Sequence, residues 1–348
     1  MPGTIREMLE ELEDRTLHPR AARSATSRGR DRPEAPDVER PVFQRDRDRL
    51  LHCKAFRRLA GKTQVFLAPR GDHYRTRLTH TLEVAQVGRS IARALRLNEM
   101  LVEAMVMGHD LGHTPFGHAG ERLLHAVVPG GFHHVVQSVR VVEVLEKDGA
   151  GLNLTAEVRD GILRHSKGKG NVLLRGSGEK AMTLEAEIVR IADIVAYVNH
   201  DLDDALRAGL FGEGDLPAEI RRTLGASRSE RFATLVHDVI GRTDLDGGGH
   251  VEMTPDVLGA LLALRDFLYA RVYENPVVHA EFKKAQRILR DLWEWCLEDP
   301  GRMVERSGLP LAGGSPERVA VDWLSGMTDR FALATWEELF VPRPWSLL

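Results

Sequence analysis

Between Met107 and Glu121 the chain reads MGHDLGHTPFGHAGE, which sets three histidines, an aspartate and a glutamate in one short stretch. Imidazole and carboxylate at this density suit coordination of a cation or movement of a proton. The adjacent pair His109 and Asp110 offers one nitrogen and one oxygen donor from a single piece of backbone, a combination that suits hard or borderline divalent ions. Two donors cannot hold a metal alone, so the remaining ligands must come from other elements.

Two further helices can deliver them. From about Thr79 to Leu97, His80, Val84, Val87, Ile91 and Leu95 recur at steps of four, three, four and four, which puts His80 on an apolar, inward stripe. A lone histidine there would ordinarily be a hydrogen-bonded core residue. The next helix, about Asn98 to Gly108 with Met100, Leu101, Ala104 and Met105 inward, follows after a tight Leu97–Asn98 connection and has Gly112 available for its terminal turn. Helices joined so closely pack antiparallel, so the start of the first meets the end of the second and His80 meets His109 and Asp110. The strongest helical pattern, Leu184 to Leu210, buries Ile188, Ile191, Val195, Val198 and Leu202, while Asp193, Tyr197 and Asp201 recur every four residues on another face. Flanking Ala192 and Ala196 favour burial of that polar ladder too.

His80, His109, Asp110 and Asp193 together supply two nitrogens and two carboxylates, with positions left open for water or phosphate oxygens. Manganese, magnesium, iron and zinc all accept such donors. Two imidazoles make magnesium the least natural of the four, although manganese or magnesium is the ion expected to support an assay. His118 and Glu121, three apart at a helix start, form a second constellation in which a carboxylate can orient an imidazole and raise its pKa towards neutrality.

The whole chain sets the frame for this chemistry. Its 348 residues, 43% hydrophobic and 28% charged, are those of a globular protein with a substantial core, and a net charge of −3 gives no global reason to expect nucleic acid. Cys53 and Cys296 lie far apart, which indicates neither a disulfide framework nor a thiolate zinc site and suits a reducing compartment. No signal-peptide core is present and no run reaches the ~18 apolar residues of a membrane span, so the protein is expected to be cytoplasmic with no membrane partner.

Residues 1–14 are acidic and helix-prone, and Arg15 to Pro41 then read as a mobile arm, either a solvated linker or a basic arm touching a partner subunit or a polyanion. One amphipathic helix is expected from Phe43 to Leu59 and a short extended or looped piece around Gln64–Leu67. Further helices are expected at Gly120–His125, His133–Lys147, Thr155–His165, Ser229–Ile240, Pro255–Tyr273 and Glu281–Leu297, and around Val319–Leu339. With no period-two strands, the fold class is all-α, divided into an arm (1–40), a catalytic core (41–210) and a C-terminal helical region packed on it (211–348).

The pattern formed by His80, His109–Asp110 and Asp193 resembles that of the HD superfamily of metal-dependent phosphohydrolases. The strings QRDRDRLLHCKAFRRL, KTQVFL, GDHYRTRLTHTLEVAQVGRSIARALRLNE, GHDLGHTPFGHAGE, VRIADIVAYVNHDLDDALRAG and GMTDR are similar to the deoxyguanosine triphosphate triphosphohydrolase-like proteins of bacteria, over roughly residues 40–340. The resemblance implies an HD-type helical core with additional C-terminal helices, which splits a deoxynucleoside triphosphate into deoxynucleoside and inorganic triphosphate. It implies His80, His109, Asp110 and Asp193 as metal ligands and His118 with Glu121 as the catalytic pair. Gln64, Tyr197 and Asp201 would form the deoxyribose pocket, with Tyr197 leaving little room for a 2′-hydroxyl. Arg77, His113 and His134 match phosphate-facing positions. Ring-shaped homo-oligomers, often hexamers, and activation by a second deoxynucleotide are also implied. One departure is visible: related proteins tend to read GGFEHNxQS where this chain has GGFHHVVQS, so His133 replaces a carboxylate and Val135 an amide.

The implied mechanism is in-line attack of water on the α-phosphorus with His118, held by Glu121, protonating the departing 5′ oxygen or positioning the water. Arg77, Lys167, Lys169 and the Arg57–Arg58 pair are candidate phosphate cations. The rival readings are an HD phosphohydrolase acting on a nucleoside monophosphate, a cyclic nucleotide or a guanosine polyphosphate, and a non-catalytic binder of nucleotides or single-stranded nucleic acid.

Overall fold

A computed structural model describes residues 3–64, 75–166, 180–309 and 315–343. Among these residues the regular elements are helices, and the isolated bridges Arg30–Thr155 and Thr63–Thr76 are the extended pairings. In chain order the α-helices are α1 (Ile5–Thr16), α2 (Val42–Leu51), α3 (Lys54–Arg58), α4 (Arg77–Ala94), α5 (Glu99–His109), α6 (Gly117–Val127), α7 (His134–Arg140) and α8 (Ala156–Arg164). There follow α9 (Leu184–Arg207), α10 (Ala218–Leu224), α11 (Arg228–Arg242), α12 (Pro255–Leu268), α13 (Pro276–Glu298), α14 (Pro300–Ser307), α15 (Pro316–Gly326) and α16 (Asp329–Phe340). Single π-helical turns, Val141–Leu145 and Tyr269–Tyr273, continue α7 and α12.

The centre of the molecule is α5. Leu101, Val102, Ala104, Met105, Val106 and Met107 are all buried, and a helix apolar around its circumference must be surrounded. Asn98 starts it by accepting hydrogen bonds from the Met100 and Leu101 amides, each at 3.1 Å, a cap of the kind that contributes about 1 kcal/mol. Helices α4 and α9 cover one side, and α2 and α8 the other. The approach is close: a Cβ on Gly88 of α4 would stand 2.8 Å from Val102 Cγ1, and one on Gly108 of α5 would stand 2.3 Å from Ile162 Cδ1.

Side chains from α10, α11 and α12 join the same apolar cluster as those of α4, α5 and α9. A second cluster forms where α13 meets α6, α15 and α16, through Phe116, Leu124, Leu289, Trp293 and Leu324.

Three local expectations need correction. The helix expected over Phe43–Leu59 breaks into α2 and α3, because Cys53 caps α3 and the Glu146 carboxylate accepts from the Lys54 and Ala55 amides at 3.0 and 2.7 Å. The helix expected around Val319–Leu339 is likewise two, α15 and α16, with Thr328 accepting from the Phe331 amide. Residues 17–41 are docked rather than free. Arg30 pairs with the fully buried Asp46, Ser27 Oγ and the Arg28 amide donate to Glu157 at 2.9 and 2.6 Å, and the Ala22 amide donates to Glu185 at 3.0 Å. This segment pairs with acidic side chains of the core, a polar docking that hydrophobic periodicity does not register. Among the described residues no helix is long and apolar enough to cross a membrane.

Candidate active site

His109 occupies the last turn of α5 and Asp110 ends that helix. His109 Nδ1 lies 2.6 Å from the Val106 carbonyl, which can only accept, so the proton sits on Nδ1 and Nε2 keeps its lone pair. That Nε2 is buried without a hydrogen-bond partner, 3.5 Å from Asp110 Oδ1 and 3.9 Å from Asp193 Oδ1. His80 Nε2, from the first turn of α4, is 3.1 Å from Asp193 Oδ1 and 3.8 Å from Asp110 Oδ2. Donor atoms of His80, His109 and Asp110 all lie within 4.8 Å of one another. A buried lone pair facing two carboxylates is the donor set of a divalent cation, so these four residues fit one. Burial pushes the Asp110 carboxyl up, but His109, His113 and Arg77 outweigh it and hold the group well below the usual range. Asp193 is lowered too, with His80 overcoming the same desolvation.

The turn after Asp110 is built by backbone contacts. A Cβ on Gly112 would stand 2.2 Å from the Ser138 amide nitrogen and 2.5 Å from the His134 carbonyl oxygen, so only glycine lets α7 approach this closely. Ser138 Oγ locks the approach, accepting from the Gly112 amide at 2.9 Å and donating to the His109 carbonyl at 2.7 Å. As a result the His113 and His134 rings stack, with centroids 3.9 Å apart.

Farther along, Phe116 (φ 62°) and Gly117 (φ 55°) are left-handed, and Asp329 at the start of α16 holds this bend by accepting from the Phe116 amide at 2.8 Å. Asp329 also accepts from the Thr63 amide at 3.0 Å, which fixes the backbone beside Gln64. Lys62, buried, donates to the carbonyls of His113 and Ser325 at 2.5 and 2.7 Å, and burial pushes its amine down to about 7.

Glu121 does not pair with His118. Its Oε1 accepts from the His134 amide at 3.0 Å and faces His134 Nδ1 at 2.8 Å, while its Oε2 is 3.7 Å from His113 Nδ1. Burial alone would lower His134, but the Glu121 charge reverses the sign and raises it. His118 is lowered, by burial and then by Arg77. Glu121 thus outweighs burial at His134, whereas at His118 its raising effect does not overcome burial and Arg77. His118 stands edge-on to Tyr273, with centroids 5.3 Å apart.

Over the cluster opens a cavity of about 550 Å³, lined by His80, Asp110 and Asp193 and by the expected Gln64, Arg77, His113, His118, His134 and Tyr197. Arg77 also donates to Asp110 Oδ2 at 2.7 Å. Asp201 is drawn away from the opening: it is 1% exposed and accepts from the Tyr273 hydroxyl. Arg57 and Arg58 are exposed and line separate cavities, whereas Arg190 and Arg265 line this one together with Tyr269 and His165. Arg190 lies three residues before Asp193 and could have been read from that spacing; Arg265 and Tyr269 carry no local signal. His165 Nε2 is 3.3 Å from His134 Nε2, and burial with His109 nearby lowers its pKa to about 3. Lys167, Lys169 and the chain from Val65 to Leu67 lie outside the described residues. Neither His133, which is exposed, nor Val135 lines the cavity.

The chain is similar to known proteins over most of its length. The HD domain family matches residues 77–198, and the phosphohydrolase-associated domain matches residues 251–338. A deoxyguanosinetriphosphate triphosphohydrolase-like protein of Caldanaerobacter subterraneus subsp. tengcongensis is 49% identical over 98% of this chain and 97% of its own length. Another, of Desulfatibacillum aliphaticivorans, is 48% identical over 98% of this chain and 99% of its own length. A solved structure, a hypothetical protein from Aquifex aeolicus, aligns at a TM-score of 0.45 and 20% identity over 86% of this chain and 68% of that one.

Proposed function

The chain belongs to the deoxyguanosinetriphosphate triphosphohydrolase-like family of HD-domain proteins, and from that premise we propose that this metal-dependent phosphohydrolase cleaves deoxynucleoside triphosphates into deoxynucleoside and inorganic triphosphate. The observation that carries the reading is that one cavity is lined both by His80, Asp110 and Asp193 and by Arg77, Arg190 and Arg265, with Tyr197 and Gln64 among its other lining residues. Clustered cations suit a polyphosphate, and an aromatic ring suits a sugar or base face.

A divalent cation held by His80, His109, Asp110 and Asp193 would supply the positive charge that polarises a phosphate oxygen and acidifies water. The arginines bind and orient the phosphate chain. Water adds to the α-phosphorus, the bond from phosphorus to the 5′ oxygen breaks, and that oxygen takes a proton, so triphosphate leaves whole. His118 would hold or deliver the proton, and Glu121 would act on the phosphate side through His134 and its stacked neighbour His113. Tyr197 and Gln64 read the deoxyribose, with Asp201 behind them. Assembly into a homo-oligomer and activation by a second deoxynucleotide belong to the same reading, and light scattering and mixed-nucleotide assays address them.

The test is incubation with each deoxynucleoside triphosphate, singly and mixed, with Mn²⁺ or Mg²⁺ and chromatographic separation of products. Inorganic triphosphate with free deoxynucleoside is the expected outcome. Release of monophosphate or pyrophosphate instead overturns it.

A further inference from the structure

The two metal-facing histidines of this site are held differently. His109 has its Nδ1 on a main-chain carbonyl, a partner that leaves no choice of tautomer. His80 has its Nδ1 2.7 Å from Nε2 of another imidazole, that of His200 on α9, which can either donate or accept. Something further out must decide. His200 is fully buried; its Nδ1 lies 2.7 Å from Asp201 Oδ1, an ion-pair distance without the alignment of a hydrogen bond, and the other carboxylate oxygen of Asp201 accepts from the Tyr273 hydroxyl. Tyr273 is itself buried. A carboxylate beside Nδ1 favours the tautomer that carries its proton there, which leaves His200 Nε2 as an acceptor. His80 then carries a proton on Nδ1, and its Nε2, which faces Asp193 and Asp110, is the nitrogen that would give its lone pair to a cation.

We propose that His200 is a positioning residue that fixes the tautomer and ring orientation of His80, and that Asp201 and Tyr273 set the direction of this buried line. The inference deepens the metal-site part of the reading above and rests on it. It also accounts for the withdrawal of Asp201 from the cavity, since one of its oxygens accepts from Tyr273 and the other lies against His200 Nδ1. The line runs from the metal-facing cluster on α4 through α9 to the π-helical turn after α12, and its end stands against the His118 ring. Outer partners of ligating histidines typically contribute 10–100-fold to metal affinity.

The test is titration of the metal-free full-length protein with Mn²⁺ alone, by calorimetry and without nucleotide. His200→Leu removes the acceptor and leaves the His80 Nδ1 proton buried without a partner, so Mn²⁺ binding should weaken about tenfold or more. His200→Gln can place an amide oxygen near the former Nε2 and should restore affinity to within a few-fold of wild type. Leucine binding as tightly as wild type, or glutamine as weakly as leucine, overturns the proposal. A second measurement needs no variant that might misfold: ¹⁵N-histidine NMR of the metal-free wild type should find a proton on His80 Nδ1 whatever the state of Nε2, and an Nδ1 without a proton is fatal to the inference. Because neither readout uses hydrolysis, a failure here is distinguishable from a wrong substrate class, which only product analysis reveals.

Discussion

Glu121 engages His134 twice, accepting from its main-chain amide at 3.0 Å and facing its Nδ1 at 2.8 Å. A carboxylate with two contacts to one residue fixes both the start of α7 and the ring that stacks on His113. Glu121→Gln keeps the shape and the acceptor for the amide but removes the charge that favours protonated His134. Turnover should fall at least about tenfold, in kcat more than in KM, with Mn²⁺ content unchanged. Steady-state kinetics with metal analysis checks this, and a kcat equal to wild type would remove Glu121 from the reaction.

His118→Ala should lower kcat by about 10²-fold or more while metal content and thermal stability stay near wild type. The side chain lines the cavity but touches none of the four metal-facing groups through a hydrogen bond. Full activity in this variant would sink its assigned role.

Asp193→Asn should abolish metal-dependent stabilisation. Wild-type protein stripped with a chelator should regain several degrees of Tm on adding excess Mn²⁺, because an ion that binds only the folded state stabilises it by mass action. The variant should show little or no gain. Differential scanning fluorimetry with and without Mn²⁺ decides, and an equal gain in both would exclude Asp193 as a ligand.

Glu185 supplies a pH dependence remote from the metal. Burial pushes its carboxyl up from an ordinary value near 4.5 to about 7, against the lowering effect of the Asn98 and Ala22 amides that donate to it. Between those two values the folded state holds a proton that the unfolded chain has lost, so this group's contribution to stability falls as pH rises from about 4.5 to about 7. Glu185→Gln lacks that slope. In urea unfolding at about pH 5, 6 and 7, wild type should lose stability relative to the variant by roughly 1 kcal/mol per pH unit. A constant difference across the range would contradict the raised pKa.

Gly112→Ala should be costly because the new methyl meets main-chain atoms of α7 that cannot rotate aside. A loss of about 2–3 kcal/mol is expected, with reduced kcat from displacement of the His113–His134 stack. Chemical denaturation checks the first effect. Wild-type stability in the variant would mean that α7 is free to shift.

How much of this was legible in the residues alone depended on distance along the chain. The meeting of His80 with His109 and Asp110 followed from two adjacent helices and a short connection, because chain connectivity leaves such a pair little choice but to run antiparallel. Asp193 lies more than eighty positions beyond Asp110 and was legible only through the polar ladder of α9 and the resemblance. The all-helical class followed from periodicity, which reports the buried face of each element.

What periodicity could not report was which polar groups meet once the elements pack. Helical spacing puts His118 and Glu121 on one face, yet Glu121 turns to a residue thirteen places on, which the backbone contact between Gly112 and α7 delivers. Asp201 stands in register with Asp193 and Tyr197, yet the setting of α9 against α12 and its π-helical turn buries it under Tyr273. The composition of Arg15 to Pro41 reads as a mobile arm, either a solvated linker or a basic arm for a partner, yet Asp46 and Glu157 hold that segment against the core. In each case the local pattern set the element and its inward face, whereas the partner of a charged or polar group was chosen by close packing between elements far apart in the chain. An unpaired buried charge is costly, so the fold decides such partners and no single segment can.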